Sequence, residues 1–337
     1  MTLKQQQSGA ISRNGDSASF GRIGVLMGGY SSEREISLKS GKAVFEALHQ
    51  YGCNVAALDI VSQDEKVIVD LIKTAHVEIA FIVLHGRLGE DGRIQSILEK
   101  MGILYVGSNA EASRRALDKT VAQQIFRENN IPVPENAVVG KGEKIKTADI
   151  LEKLNGLPVV VKPASEGSSI GVTLVDTAEN LSDAVDNAFR YDDKVLIERY
   201  INGRELTVGI LGQEALPVIE VRPKNKFFDF TSKYQSGMTD YIVPALLSRD
   251  VALRIQSIAL KAHRVLGCSD FSRVDIMIDK EDCSYVLEVN TIPGFTSTSL
   301  LPKAAKVIGL DFTQLCLRLI GLACVRQDGI TARPPFK

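Results

Sequence analysis

The sequence predicts an α/β protein of three units meeting at one central cleft, and three observations carry that reading. Strand-like apolar runs alternate with helical patterns between residues 22 and 112, the order that produces a parallel sheet covered by helices. The segment Ile131-Pro132-Val133-Pro134 then breaks the chain, and a different set of strands follows. At 337 residues, two or three domains are expected rather than one core. The units are placed at 22–112, 113–204 and 205–325, between a leader at 1–21 and a tail at 326–337.

The first strand is expected over 22–27, ending in Gly28-Gly29. A helix follows at once, with Ser32 and Glu35 as a capping box and Ile36, Ser40, Val44 and Leu48 on its inner face. Strands are predicted over 54–59 and 79–84, the latter running into His85-Gly86. Ile94, Ile97, Leu98 and Met101 recur at the spacing of one buried helical face. Ligands of parallel α/β sheets sit beyond the carboxyl ends of the strands, where Gly28-Gly29 and His85-Gly86 both lie. Past the break, strands are expected at 157–163, 172–175 and 195–200, with a loop of small residues over 164–171. Longer strands begin at Glu205, a Gly/Ser/Thr-bearing segment covers 227–241, and an apolar helix follows Asp250. No internal repeat is evident.

Hydrophobic content of 45% with 24% charged residues describes an ordinary soluble globular protein. A net charge of −1 argues against a general binder of nucleic acid or other polyanions. Five scattered cysteines without a CxxC read as reduced thiols of a cytosolic protein. No apolar run reaches the length of a membrane span. The first 21 residues are polar and lack the apolar centre of a signal peptide, so they read as a disordered leader and cytoplasmic residence is expected.

The chemistry concentrates in Arg273-Val274-Asp275 and Glu288-Val289-Asn290, two otherwise apolar strands. Alternation puts Arg273 with Asp275 on one face, and Glu288 with Asn290. Charges on buried strands are costly unless paired. Mg²⁺ holding an anionic phosphate would satisfy Asp, Glu and Asn oxygens beside an arginine. An Asp–Arg ion pair plus a Glu–Asn hydrogen bond is the alternative. The 164–171 loop follows Lys162-Pro163, and its small residues would let backbone amides approach phosphate oxygens; a plain hairpin loop is the other reading. Neither GxxxxGK[ST] nor a GxGxxG after the first strand occurs, which argues against a P-loop enzyme and weakens a dinucleotide-binding reading.

Single residues are more ambiguous. Lys119 opens a helix, where a solvated surface lysine is the ordinary case. Glu198 and Glu205 flank an Asn202-Gly203 turn and could hold an adenine amino group and ribose hydroxyls, or be edge-strand charges. Glu33 lies in a first helical turn, favourable for a carboxylate, or binds a substrate ammonium. Among four histidines, His85 at a strand's carboxyl end stands out. Gly294 could donate an amide to a developing oxyanion, as Arg273 could its guanidinium. Ser299 and Leu300 open a helix whose amides suit a carboxylate.

Together these residues resemble the D-alanine–D-alanine ligases of the ATP-grasp superfamily. The matching segments are Gly28-Gly29 with Ser32-Glu33-Arg34-Glu35-Ile36-Ser37; His85-Gly86-Arg87-Leu88-Gly89-Glu90-Asp91-Gly92; Val161-Lys162-Pro163 leading into Glu166-Gly167-Ser168-Ser169; Lys233-Tyr234 with Gly237, Thr239 and Tyr241; Arg273-Val274-Asp275; and Glu288-Val289-Asn290-Thr291 through Leu300. They span about residues 23 to 320 in family order. The resemblance implies an ATP-grasp fold, with an N-terminal parallel α/β (Rossmann-like) domain and two α+β subdomains enclosing the nucleotide.

It also implies roles. Asp275, Glu288 and Asn290 would hold two Mg²⁺ ions, replaceable by Mn²⁺, that bridge the ATP phosphates. Lys119 and Lys162 would contact phosphates, while Glu198, Ile201 and Glu205 would line the adenosine site. Glu33 would take the ammonium of the first D-alanine, and Lys233, Ser299 and Leu300 the carboxylate of the second. His85 would lie near the substrate carboxylates, with Arg273 and the Gly294 amide stabilising the oxyanion. Glu33, Ser168 and Tyr234 would latch the 227–241 loop over the site. The implied reaction joins two D-alanines through D-alanyl phosphate for peptidoglycan precursor synthesis, in a cytoplasmic homodimer with no nucleic-acid or membrane partner. A D-alanine–D-lactate or D-alanine–D-serine ligase is the rival of the same fold; Tyr234 favours the dipeptide. A nucleotide-binding regulatory protein without catalysis is the rival of another class.

Overall fold

The computed structural model describes residues 20–223 and 239–328. Residues 1–19, 224–238 and 329–337 lie outside them, and with them nearly all of the expected leader, most of the tail, and both Lys233 and Tyr234.

Four short aliphatic runs form the first sheet: β1 (Ile23–Gly28), β2 (Val55–Ile60), β3 (Ile79–Ile82) and β4 (Leu104–Val106), all parallel in the order β2-β1-β3-β4. Every residue of β1 and β3 is buried, as expected for strands covered on both faces. The crossovers are α1 (Arg34–Tyr51), α2 (Glu65–Thr74) and α3 (Arg93–Met101). The capping box expected at Ser32 and Glu35 does not form; Glu33 occupies the N-cap position, with no side-chain cap bond. Ser31 explains the shift. Its hydroxyl accepts from the Glu33 amide at 3.2 Å and donates to the His85 carbonyl at 2.8 Å, fixing the chain one residue ahead of the expected cap.

Two helices, α4 (Ala110–Leu117) and α5 (Lys119–Glu128), lead into a second, antiparallel sheet. Its strands β5 (Asn136–Gly140), β6 (Val159–Pro163), β7 (Thr173–Val175) and β8 (Lys194–Arg199) run in the order β5-β8-β6-β7, with α6 (Thr147–Lys153) and α7 (Leu181–Ala188) between them. The buried core of this unit, from Val139 to Ile197, contains only its own residues.

The third sheet comprises β9 (Gly203–Leu211), β10 (Glu214–Ala215), β11 (Ile219–Pro223), β12 (Thr239–Ile242), β13 (Phe271–Asp279) and β14 (Ser284–Asn290). It is antiparallel in the order β12-β11-β9-β13-β14, with β10 paired to β9. The helix α8 (Arg249–Val265) covers one face, burying Leu206, Val208, Val274 and Ile276. Alternation sends Thr207 and Asp275 to the other face. The final helices, α9 (Leu300–Val307) and α10 (Phe312–Asp328), return to the first sheet. Ile23 and Phe81 share one core with Phe271, Phe295 and Leu315. Phe295 sits among the rings of Phe81, Phe271 and Phe312, with centroids 5.4–5.7 Å away, which pins the segment after β14. Among the described residues, no single helix is long and apolar enough to cross a membrane.

Candidate active site

The β13–β14 hairpin places its polar residues in direct opposition. Arg273 pairs with Asn290 and Asp275 with Glu288 across the strands, so all four share one face. Asp275 is buried and its carboxylate is fully engaged. Oδ1 accepts from Arg273 Nε at 2.9 Å and Thr207 Oγ1 at 2.6 Å; Oδ2 accepts from the Arg273 guanidinium at 2.7 Å and Asn290 Nδ2 at 3.0 Å. The pairing shifts register after Asp275, at a β-bulge that takes in Leu287. The Asp–Arg pair of the second reading is present, and the Asn290 amide bonds to Asp275 where that reading expected Glu288.

Asp275 and Glu288 line a cavity of about 490 Å³, the size of a small-molecule site. Lys119, Lys162, Glu198, Ile201 and Glu205 line it as well. Asp118 caps α5 by accepting from the Thr120 and Val121 amides, so Lys119 opens that helix with its side chain buried. Its Nζ donates to the Glu166 carbonyl at 2.7 Å and stands 3.3 Å from Glu288 Oε2. This is not a solvated surface lysine. Lys162 and Glu198 come from neighbouring antiparallel strands and form a buried ion pair at 2.6 Å. The second Glu198 oxygen accepts from the Gln123 amide.

Hard oxygen donors of this kind suit Mg²⁺. A carboxylate offers about four acceptor positions, and four hydrogen bonds already reach Asp275, so taking a cation there exchanges one of them. Among the described residues no group of three or more His, Cys, Asp or Glu side chains is arranged to hold a metal alone. Two carboxylates and an amide need further oxygens, which a phosphate would supply.

A second constellation surrounds the carboxyl ends of β1 and β3. Glu33 is buried and accepts a hydrogen bond from the Ser168 hydroxyl, across the cleft from the second sheet's loop. His85 is also buried, with Nδ1 2.9 Å from the Ile292 carbonyl and Nε2 3.2 Å from Ser40 Oγ. A carbonyl only accepts, so Nδ1 carries the proton and Nε2 receives the Ser40 hydroxyl. Burial lowers the affinity of the ring for a second proton, against the opposing pull of Glu33. Ser40 in turn accepts from the Phe295 amide at 3.2 Å. The imidazole thus reaches the chain before Gly294 directly, at Ile292, and the chain after it through Ser40 of α1, at Phe295. Ser299 is the N-cap of α9, and Leu300 begins the helix, leaving first-turn amides available to an anion.

Three further participants, Gln123, Thr207 and Glu90, are not among the candidates singled out from the sequence. Gln123 stands one helical turn beyond Lys119, and Thr207 is the same-face neighbour of Glu205 on β9, so periodicity could have found both. Glu90 accepts from the Gly86 amide at 2.7 Å. Burial first, then the nearby Glu33, pushes its carboxyl up to about 8, so it keeps its proton at neutral pH.

Known proteins resemble this chain in sequence and fold. The family model described as D-ala D-ala ligase C-terminus covers residues 125–321, and that described as D-ala D-ala ligase N-terminus covers 62–108. A D-alanine–D-alanine ligase of Geotalea uraniireducens is 45% identical over 305 residues, 90% of this chain and 96% of that protein. One from Geobacter sulfurreducens is 44% identical over 309 residues, 91% of this chain and 96% of its own length. Among solved structures, a D-alanine–D-alanine ligase from Bacillus anthracis complexed with ATP superposes with a TM-score of 0.81 at 34% identity, covering 91% of this chain and 99% of that one. The VanG D-Ala:D-Ser ligase from Enterococcus faecalis superposes with a TM-score of 0.78 at 32% identity, covering 90% and 99% respectively.

Proposed function

The chain belongs to the D-alanine–D-alanine ligase family, and from that premise we propose how its residues carry out the reaction. It is an ATP-dependent ligase with an ATP-grasp fold that joins two D-alanines for cell-wall synthesis. One observation carries the assignment of the site. The Lys119 ammonium touches both Glu288 of the hairpin and the Glu166 carbonyl of the small-residue loop, so the acidic strands and the phosphate loop meet at one positive charge.

A carboxylate is a poor electrophile because its charge repels a nucleophile and oxide cannot leave. The γ-phosphoryl group of ATP therefore passes to a carboxylate oxygen of the first D-alanine, giving D-alanyl phosphate and ADP. Lys119, Lys162 and the amides of 164–171 offset the phosphate charge, with Glu198, Ile201 and Glu205 around the adenosine. Asp275, Glu288 and Asn290 would hold Mg²⁺, two ions in this reading and replaceable by Mn²⁺, which when bound neutralises charge on the transferring phosphoryl group.

Glu33 receives the ammonium of the first D-alanine, and the Ser168 hydroxyl holds that carboxylate in place. Neutral His85 positions the segment bearing Gly294. The second amine, having lost a proton, attacks the acyl carbon. Arg273 and the Gly294 amide stabilise the oxyanion, and phosphate leaves with the C–O bonding pair. Ser299 and Leu300, with Lys233, hold the carboxylate of the second D-alanine; Tyr234 joins Glu33 and Ser168 in latching the loop. Lys233 and Tyr234 come from outside the described residues.

A substrate domain at 22–112 and two nucleotide-enclosing subdomains at 113–204 and 205–325 belong to the same proposal; the three separate sheets support it, although α4 crosses the first boundary and β9 begins just before the last, at Gly203. A cytoplasmic homodimer completes the proposal on family grounds. The test is ADP release from the purified protein with ATP, Mg²⁺ and D-alanine, L-alanine, D-serine or D-lactate. D-alanine alone should give full turnover and a dipeptide. Absence of D-alanine-dependent ADP would refute the assignment, and preference for D-serine or D-lactate as second substrate would move it within the family.

A further inference from the structure

We propose that Arg87 is a positioning residue that fixes both ends of the 164–171 loop against the first unit, and so sets the affinity for ATP. The inference rests on the reading of that loop as the phosphate binder. The second sheet's unit has an apolar core entirely of its own, whereas the first and third sheets share one. Polar bonds therefore have to hold its loop to the first unit. Among the described residues, Glu33, through Ser168, and Arg87 provide such bonds.

The Arg87 guanidinium donates to Glu166 Oε1 at 3.3 Å and to the Tyr191 carbonyl at 3.2 Å. Glu166 lies near the start of the loop, and its own carbonyl receives Lys119. Tyr191 packs over the other end. A Cβ added at Gly171 would stand only 2.7 Å from the Tyr191 ring, so the two are in close contact. One cation thus reaches both ends of the loop.

An exposed arginine usually loses too much side-chain freedom for such a pair to matter. Here the backbone that carries it is fixed. Gly86 and Leu88, on either side, both have left-handed backbone, with φ of 68° and 79°. The Gly86 amide is held by Glu90 at 2.7 Å, the Leu88 amide by Asp91 at 2.9 Å, and the Leu88 side chain is buried. The turn so held presents Arg87 to Glu166 and Tyr191 of the second sheet's unit.

The experiment compares the full-length protein with Arg87→Met, which keeps the aliphatic stem, and Arg87→Lys, which restores charge without the fork. Hydrogen–deuterium exchange across 164–171 is followed without nucleotide, and KM for ATP and for D-alanine in turnover. Arg87→Met should exchange faster over that loop and raise KM for ATP about three- to tenfold, with kcat changed less than twofold. Arg87→Lys should recover part of both effects. Unchanged exchange in Arg87→Met overturns the clamp, whatever the kinetics. Faster exchange with an unchanged KM for ATP keeps the clamp and overturns the phosphate-binding reading of the loop.

Discussion

Lys162 and Glu198 form an ion pair at 2.6 Å with both side chains buried, so two residues expected to serve different parts of the nucleotide also neutralise each other. Removing one partner of a buried pair strands the other. Lys162→Met should cost about 3 kcal/mol of stability, at the lower end for such breaks because Gln123 still donates to Glu198. Lys162→Met combined with Glu198→Leu should regain most of that stability yet bind ATP no better than the single variant. Urea unfolding and nucleotide titration separate the two effects. An unchanged urea midpoint in Lys162→Met would show that the pair does not hold the sheet together.

Glu288→Gln keeps the shape of the hairpin and removes one charge opposite Asp275. Lys119 retains its bond to the Glu166 carbonyl, so the fold should survive. D-alanine-dependent ADP release should fall by at least about 10²-fold, since metal-assisted charge stabilisation is worth several kcal/mol. Circular dichroism checks the fold and a coupled ADP assay the rate. Full activity would remove Glu288 from the metal set.

The sequence was most legible where one element carried the argument by itself. Period-two alternation put Arg273 with Asp275 on one face of their strand and Glu288 with Asn290 on one face of theirs, and the hairpin joins the two sets. Long-range partners left no such trace. His85 binds residues 45 and 207 positions away, and no periodicity predicts which carbonyl will meet its Nδ1. The Lys162–Glu198 pair depends on the register of β6 against β8, which alternation leaves open. The Ser32 capping box failed because Ser31 found a tertiary acceptor, the kind of competition that overrides local propensity. Weakly apolar helices such as α6, which buries no residue, offered little pattern to read.

Ser168 has a left-handed backbone, φ 53°, an unfavourable conformation for a residue with a side chain. The hydroxyl bond to Glu33 is one gain that offsets it. Ser168→Ala keeps the strain and loses the bond, while Ser168→Gly loses both. The two variants should raise KM for D-alanine alike, by about tenfold or more for a hydrogen bond to a charged group. The glycine variant should nonetheless be more stable than the alanine variant, by about 1 kcal/mol. D-alanine titrations and thermal unfolding measure the two quantities. A normal KM in either variant would show that the Ser168–Glu33 bond does not prepare the ammonium site.

His263 is wholly buried behind β13, with Nδ1 2.7 Å from Ser272 Oγ and with Nε2 lacking a partner among the described residues. Burial, then the adjacent Arg264, holds its pKa down to about 4, against about 6.5 in an unfolded chain. Between those values the unfolded chain binds the proton and the native one does not, so stability rises with pH across that window. The contribution is complete above about pH 6.5 and is lost as pH falls towards 4, by on the order of 3 kcal/mol. His263→Met should cost about 1 kcal/mol at pH 8, where Ser272 loses its partner, and should show a shallower loss of stability between pH 6.5 and 4.5 than the parent. Urea unfolding of both proteins at pH 8, 6.5 and 4.5 decides it, because the carboxylates that titrate in the same range are common to the two. Equal slopes would mean that the native structure admits the proton. Because Ser272 immediately precedes Arg273 on β13, protonation of His263 would disturb the strand that carries the Arg273–Asp275 pair, and activity in acid should fall together with stability rather than ahead of it.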